Sequence, residues 1–132
     1  MIDIRLEFGG LIDMMLRVGK NKYGAQKTTM CGRTFDSRRE AEYYLELLEK
    51  KKRGEVTIIG FQPFYTLLEG FTDNTGKRHR PITYTADFLV IYADGHTEVV
   101  EVKGVRTRDY ILRKKLFLHK MRGTGLIFRE VR

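Results

Sequence analysis

Two runs of β-forming residues, 82–92 and 97–103, are separated by Ala93-Asp94-Gly95. This arrangement constrains the chain most, because the length of the loop fixes which side chains share a face. A two-residue Asp94-Gly95 turn pairs Ala93 with His96, so that Asp87 opposes Val102 and points away from Glu101. A three-residue loop pairs Tyr92 with His96. Asp87 then opposes Glu101, and Lys103 follows on the same face, because strand residues two apart point the same way. Such a loop puts its last residue in the left-handed region, where glycine is least penalised, and Gly95 holds that position. The expectation is a three-residue loop, Gly95 at positive φ, and Asp87, Glu101 and Lys103 converging on one face.

The other elements follow from spacing and caps. Ser37 with Glu40 three residues on is a capping-box pattern that opens a helix running to about Lys52. Ala41, Tyr44, Leu45 and Leu48 are its expected buried face, and Gly54 its stop. Residues 56–68 read as a strand, a break at Gln62-Pro63, and a second strand piece. Residues 70–80 read as a polar loop carrying Lys77-Arg78-His79-Arg80. A second helix is expected over 108–121, with Ile111, Leu112, Leu116, Phe117 and Leu118 forming a broad apolar face, and a last strand over 126–131. The order is α-β-β-β-α-β, an α/β (α+β) fold in which strands and helices share one mixed sheet. Ahead of it, residues 1–18 read as a short extended piece and a helical stretch, serving as an accessory element, a dimer contact or a packed cap. Residues 19–32 read as a basic loop or arm. The organisation expected is thus an accessory helix or arm over 1–32 and a core over 33–132.

A chain of 132 residues with a net charge of +8 favours a nucleic acid or another anionic partner, or else a basic surface kept for solubility. The single cysteine, Cys31, excludes an internal disulfide and fits a reducing cytoplasm. No apolar run is long enough to span a membrane, and the N-terminus has no signal-peptide pattern. His79, His96 and His119 lack mutual metal-ligand spacing, and no Walker loop, nucleophile elbow or zinc set is present.

Asp87 in Thr85-Ala86-Asp87-Phe88, then Glu101-Val102-Lys103-Gly104, with Glu40 on a preceding helix, resembles the PD-(D/E)XK nuclease superfamily. The resemblance is to small phage-encoded members and covers roughly residues 35–131. It departs where Ala86 stands in place of proline before Asp87. It implies a restriction-endonuclease-like core and a metal-dependent endodeoxyribonuclease acting on DNA, with branched or nicked DNA as one substrate class. It implies the cytoplasm of a bacterial host if the chain is phage-encoded, and it leaves room for a homodimer through the N-terminal segment. Asp87 and Glu101 would hold Mg²⁺ or Mn²⁺ through hard oxygens, with the Val102 carbonyl as a further ligand and Glu40 bound directly or through water. Lys103 would orient the attacking water or offset transition-state charge. The helix after the site would contact phosphates through Lys114, with Tyr110 beside it and Arg106, Arg108, Arg113 and Lys115 around it. Gln62 is a further, weaker candidate from the strand before.

Structural readings stand beside these. Asp87 could pair with a lysine, Glu40 could serve only its cap, and the basic helix face could simply be solvated. Two other functions also remain: a non-catalytic DNA-binding module on a nuclease fold, and an interaction protein for an acidic partner.

Overall fold

The computed structural model describes residues 17–20, 26–30 and 32–132, and of these the side chains of 27–30 and 32–132. The chain divides into two compact units, Met1–Thr57 and Ile58–Arg132. Among the described residues no helix is long and apolar enough to cross a membrane.

In the first unit, strands β1 (Arg17–Lys20), β2 (Gln26–Met30) and β3 (Arg33–Phe35) form an antiparallel sheet in that order. Of the basic loop expected over 19–32, the described residues are therefore largely sheet. Its polar character hides a two-residue alternation: Thr28 and Met30 are buried, while Lys27 is exposed and Thr29 half-buried. The boundary expected at 32/33 falls inside the β2–β3 hairpin, which turns at Gly32 with φ +80°. The extended piece and helical stretch expected over 1–18 lie outside the described residues except for Arg17 and Val18, which are in β1.

Helix α1 (Arg38–Lys52) packs on β2 and β3. Ser37 caps it as expected, its hydroxyl accepting from the Glu40 N–H at 3.1 Å. Its end is a Schellman motif: Glu55 N–H donates to the Lys50 carbonyl at 2.9 Å and Gly54 N–H to the Lys51 carbonyl at 3.1 Å. Gly54 sits at φ +80°, and three lysines in the last turn complement the helix dipole. The buried face is rotated from the one expected. Glu40, Ala41, Tyr43, Leu47 and Leu48 are buried, while Tyr44 and Leu45 are half-buried.

The second unit carries a four-stranded mixed sheet in the order β11-β10-β9-β4. These are β4 (Val56–Phe61), which starts in the first unit, β9 (Phe88–Tyr92), β10 (Thr97–Val102) and β11 (Ile127–Val131). β10 runs antiparallel to β9 and parallel to β11. The expected single sheet is not formed. β5 (Phe64–Leu68) and β8 (Ile82–Thr85) make a separate ladder. β6 (Phe71–Thr72) and β7 (Arg78–His79) turn the expected polar loop into a small hairpin, in which the Asp73 carboxylate accepts from Thr75 and from the Lys77 N–H and pairs with His79. The long strand expected over 82–92 is thus two strands, broken at Ala86-Asp87.

Helix α2 (Arg108–Lys120) is capped by the Thr107 hydroxyl and packs on β5 and β8. Tyr110 and Phe117, seven residues apart on one face, enter the core with Tyr84, Ala86 and Val99. Phe117 centres a ring cluster, 4.8 Å from Tyr65, 5.2 Å from Tyr84 and 5.9 Å from Phe128. The broad apolar face expected on this helix does not face the core. Ile111, Leu112 and Leu118 are exposed, because the stripe through Tyr110 and Phe117 has already filled the narrow surface beneath.

Candidate active site

The register of the β9–β10 hairpin decides the site, and it is the three-residue one. Tyr92 N–H donates to the His96 carbonyl at 3.0 Å, and Ile91, Val90, Leu89 and Phe88 face Thr97, Glu98, Val99 and Val100 in turn. Gly95 has φ +92°. This pairing puts Leu89, Val99 and Glu101 on the face covered by α2.

The ladder then ends, and how it ends places Asp87. Continued pairing would join Ala86 to Val102. Instead Ala86 N–H donates to the Pro63 carbonyl at 3.1 Å, and Asp87 N–H donates to the Val100 carbonyl at 3.0 Å, one residue out of step. Asp87 and Phe88 thereby share Val100, a bulge of the kind that re-aims a side chain. Direct opposition of Asp87 and Glu101 along the ladder is accordingly replaced by this offset. The Asp87 side chain takes the backbone's place, and its Oδ2 accepts the Val102 N–H at 2.7 Å. Gln62 fixes the same segment from the other side. It sits at φ +49° and donates its backbone N–H to the Asp87 carbonyl at 3.0 Å. Gln62, a weaker DNA-contact candidate, thus also has a backbone role at the β4–β5 break.

The Asp87 carboxyl lies close enough to Glu101 for its charge to act on it. Glu101 is only 4% exposed. Burial first, and then the neighbouring Asp87 charge, push its carboxyl up to about 8. Lys103 opposes that shift, with its Nζ 3.3 Å from Glu101 Oε1. The same Nζ lies 4.6 Å from the centre of the Tyr110 ring. Tyr84 contributes a buried hydroxyl beside this group. Its burial and the Glu101 charge keep it protonated well above the usual phenol range.

Glu130 is the residue that sequence reasoning missed. It is the β11 partner of Glu101 in the parallel ladder. Two carboxylates side by side on one face repel, and three donors offset the repulsion. The Tyr110 hydroxyl donates to Glu130 at 2.6 Å, Lys114 Nζ is 3.2 Å away, and Arg106 closes on its other oxygen. Led by the Tyr110 hydrogen bond, they hold the Glu130 carboxyl down to about 2. The only sequence signal was an acid two residues after Phe128 in the last strand, and a parallel register cannot be read from that.

The expected DNA contacts divide accordingly. Tyr110 is 5% exposed and hydrogen-bonded inward, so it supports Lys103 instead of meeting solvent. Arg113 is held by Asp109 at 2.8 Å and by the Thr83 carbonyl. Arg106 and Lys114 share Glu130, while Arg108 and Lys115 are exposed. Glu40 belongs to the first unit, where it is buried on α1. On the opposite face of the sheet, Arg129 grips buried Glu98 with two bonds of 2.8 Å.

Among the described residues, no group of three or more acids, histidines or cysteines closes on one point. The fit of a divalent cation rests on the Asp87–Glu101 pair. Two hard-oxygen donors lie side by side there, and burial and the Asp87 charge raise the Glu101 carboxyl. The Val102 carbonyl shares that edge with its N–H, and its ladder partner, the Ala86 N–H, is turned to Pro63. The donor set suits Mg²⁺ or Mn²⁺, with water or phosphate oxygens completing the shell.

A mixed α+β unit with an acid pair and a lysine at the ends of its central strands is the class that this geometry defines. The chain belongs to the DUF1064 family of proteins of unknown function, whose match spans residues 20–132. No curated protein and no solved structure matches it.

Proposed function

We propose that the protein is a metal-dependent endodeoxyribonuclease of restriction-endonuclease-like architecture. The observation that carries this reading is the meeting of the Asp87 and Glu101 carboxyls at the end of the β9–β10 ladder, with Lys103 Nζ 3.3 Å from Glu101. Asp87, Glu101 and the Val102 carbonyl would hold Mg²⁺ or Mn²⁺. When bound, the cation would polarise the scissile phosphate and make a coordinated water more acidic. Lys103, propped on the Tyr110 ring, would face that water or the phosphate and offset the developing negative charge. Tyr110 and Glu130 would hold Lys103 in place. The net charge of +8 supports a polyanionic substrate.

The test is cleavage of supercoiled, linear, nicked and branched DNA in Mg²⁺, Mn²⁺ or EDTA. Metal-dependent cleavage that is lost in Asp87→Asn supports the reading. Binding of DNA without cleavage in any metal would favour a non-catalytic DNA-binding module, and binding of neither would leave an acidic protein partner.

A further inference from the structure

Beside the acid pair, α2 carries an open cavity of about 310 Å³ lined by Arg106, Tyr110, Ile111, Lys114, Lys115 and Leu118. Its composition is divided. Ile111 and Leu118, two helical turns apart, leave 47% and 43% of their surface exposed, and Tyr110 lines the cavity beside them. Arg106, Lys114 and Lys115 make a cationic rim. We propose that this slot takes one unpaired nucleotide of a single-stranded stretch of DNA.

The argument is one of complementarity. Duplex DNA presents phosphates and base edges, while the flat faces of its bases are stacked away. A helix that only follows a duplex backbone needs cations and gains nothing from exposed isoleucine and leucine between them. Single strands alternate phosphates with uncovered, weakly polar base faces, and proteins that bind them set apolar or aromatic surfaces within basic grooves. The slot has that alternation. It adjoins the candidate active site through Tyr110, which lines it and whose ring also lies 4.6 Å from Lys103 Nζ. The inference rests on the nuclease reading and narrows it. The substrate would carry an unpaired nucleotide next to the bond cut, as in a flap, a branch point or a single strand.

The test uses the full chain in EDTA, so that binding is read without cleavage. A fluorescein-labelled oligodeoxythymidine of about 15 nucleotides is titrated beside a blunt hairpin duplex of similar charge, by anisotropy. Ile111→Ser and Leu118→Ser should each weaken single-strand binding, and the double variant by about tenfold or more, with duplex affinity unchanged. The slope of affinity against salt should stay as in the wild type, because no cation is removed. An abasic oligonucleotide of the same length should bind the wild type as weakly as the double variant binds oligodeoxythymidine, which keeps the test sound if a variant folds poorly. Equal losses on duplex and single strand, or full binding of the abasic strand, would overturn the slot. So would loss of binding to an acidic peptide in the same variants with single-strand binding intact. If the slot fails while Mg²⁺-dependent duplex cleavage persists, the nuclease reading stands; if no nucleic acid is bound at all, both fall.

Discussion

Glu101→Gln should remove activity and at the same time flatten the pH dependence of stability in the metal-free protein. The folded state raises the Glu101 carboxyl from 4.5 to about 8, through burial and the Asp87 charge. Between those values the folded chain holds a proton that the unfolded chain has released. A raised folded value means that the stabilising contribution is complete below the unfolded pKa and is lost as pH rises through the folded one. Wild-type stability should therefore fall between about pH 5 and pH 8. At roughly 1.4 kcal/mol per tenfold change in proton activity, the fall is on the order of 3–5 kcal/mol. Glu101 is almost fully buried, so solvent screening takes little from that figure. The carboxylates that are held low, Glu98 and Glu130, have finished titrating below this window, and Tyr84 and Tyr110 titrate above it.

The assay is urea unfolding in EDTA, followed by circular dichroism at pH 5, 6, 7 and 8, for wild type and Glu101→Gln. The comparison is between slopes, so a constant cost of the glutamine cancels. Wild type should lose stability across the series and the variant should lose much less. Because the Asp87 charge raises Glu101, Asp87→Asn should lower the folded pKa of Glu101 and so weaken the fall and end it at lower pH. Mg²⁺ at pH 8 should raise the melting temperature of the wild type by mass action and leave Glu101→Gln unmoved. Equal slopes in wild type and Glu101→Gln would refute the argument that this carboxyl is buried against a second negative charge.

Asp87→Asn should abolish metal-dependent DNA cleavage while DNA binding in EDTA persists, measured by plasmid nicking and anisotropy; wild-type rates in that variant would remove the metal-site reading. Lys115→Ala should lower the slope of log K against log salt by about one, since this cation is exposed on α2. Arg113→Ala should instead lower stability with the slope unchanged, because its guanidinium is bound to Asp109 and the Thr83 carbonyl; a lost salt slope there would show it to be a phosphate contact. Gly95→Ala should cost about 1–2 kcal/mol in urea unfolding, because φ is +92° and a Cβ meets no neighbour, so the cost is conformational alone. No cost would contradict the three-residue loop.

Legibility in the sequence followed the range of the interaction. Ser37, Gly54 and Gly95 act within a few residues of themselves, and the two helix ends and the hairpin register could be read from them. The rotation of α2 could not. Ile111, Leu112, Leu116, Phe117 and Leu118 are alike in hydrophobicity, and what selected Phe117 was the shape of the surface formed by Tyr65, Tyr84 and Phe128. The break at Ala86-Asp87 was equally hidden, because residues 82–92 carry β-formers throughout. It is imposed from a distance by Gln62-Pro63, whose N–H and carbonyl take the Asp87 carbonyl and the Ala86 N–H.

That break sets the geometry of the acid pair. An uninterrupted ladder would have opposed Asp87 to Glu101 directly and given Val102 the Ala86 backbone as partner. With Ala86 drawn to Pro63, the Val102 N–H needs an acceptor, and the Asp87 carboxylate supplies it at 2.7 Å. The Asp87 charge also acts on Glu101, and two negative charges in a buried setting are costly. Glu130, the next carboxylate along the sheet, avoids that cost through Tyr110, Arg106 and Lys114. Glu101 has Lys103 and a raised affinity for its proton. The placement of Lys103 on the Tyr110–Glu130 support then sets a positive charge at the edge of the pair without quenching it.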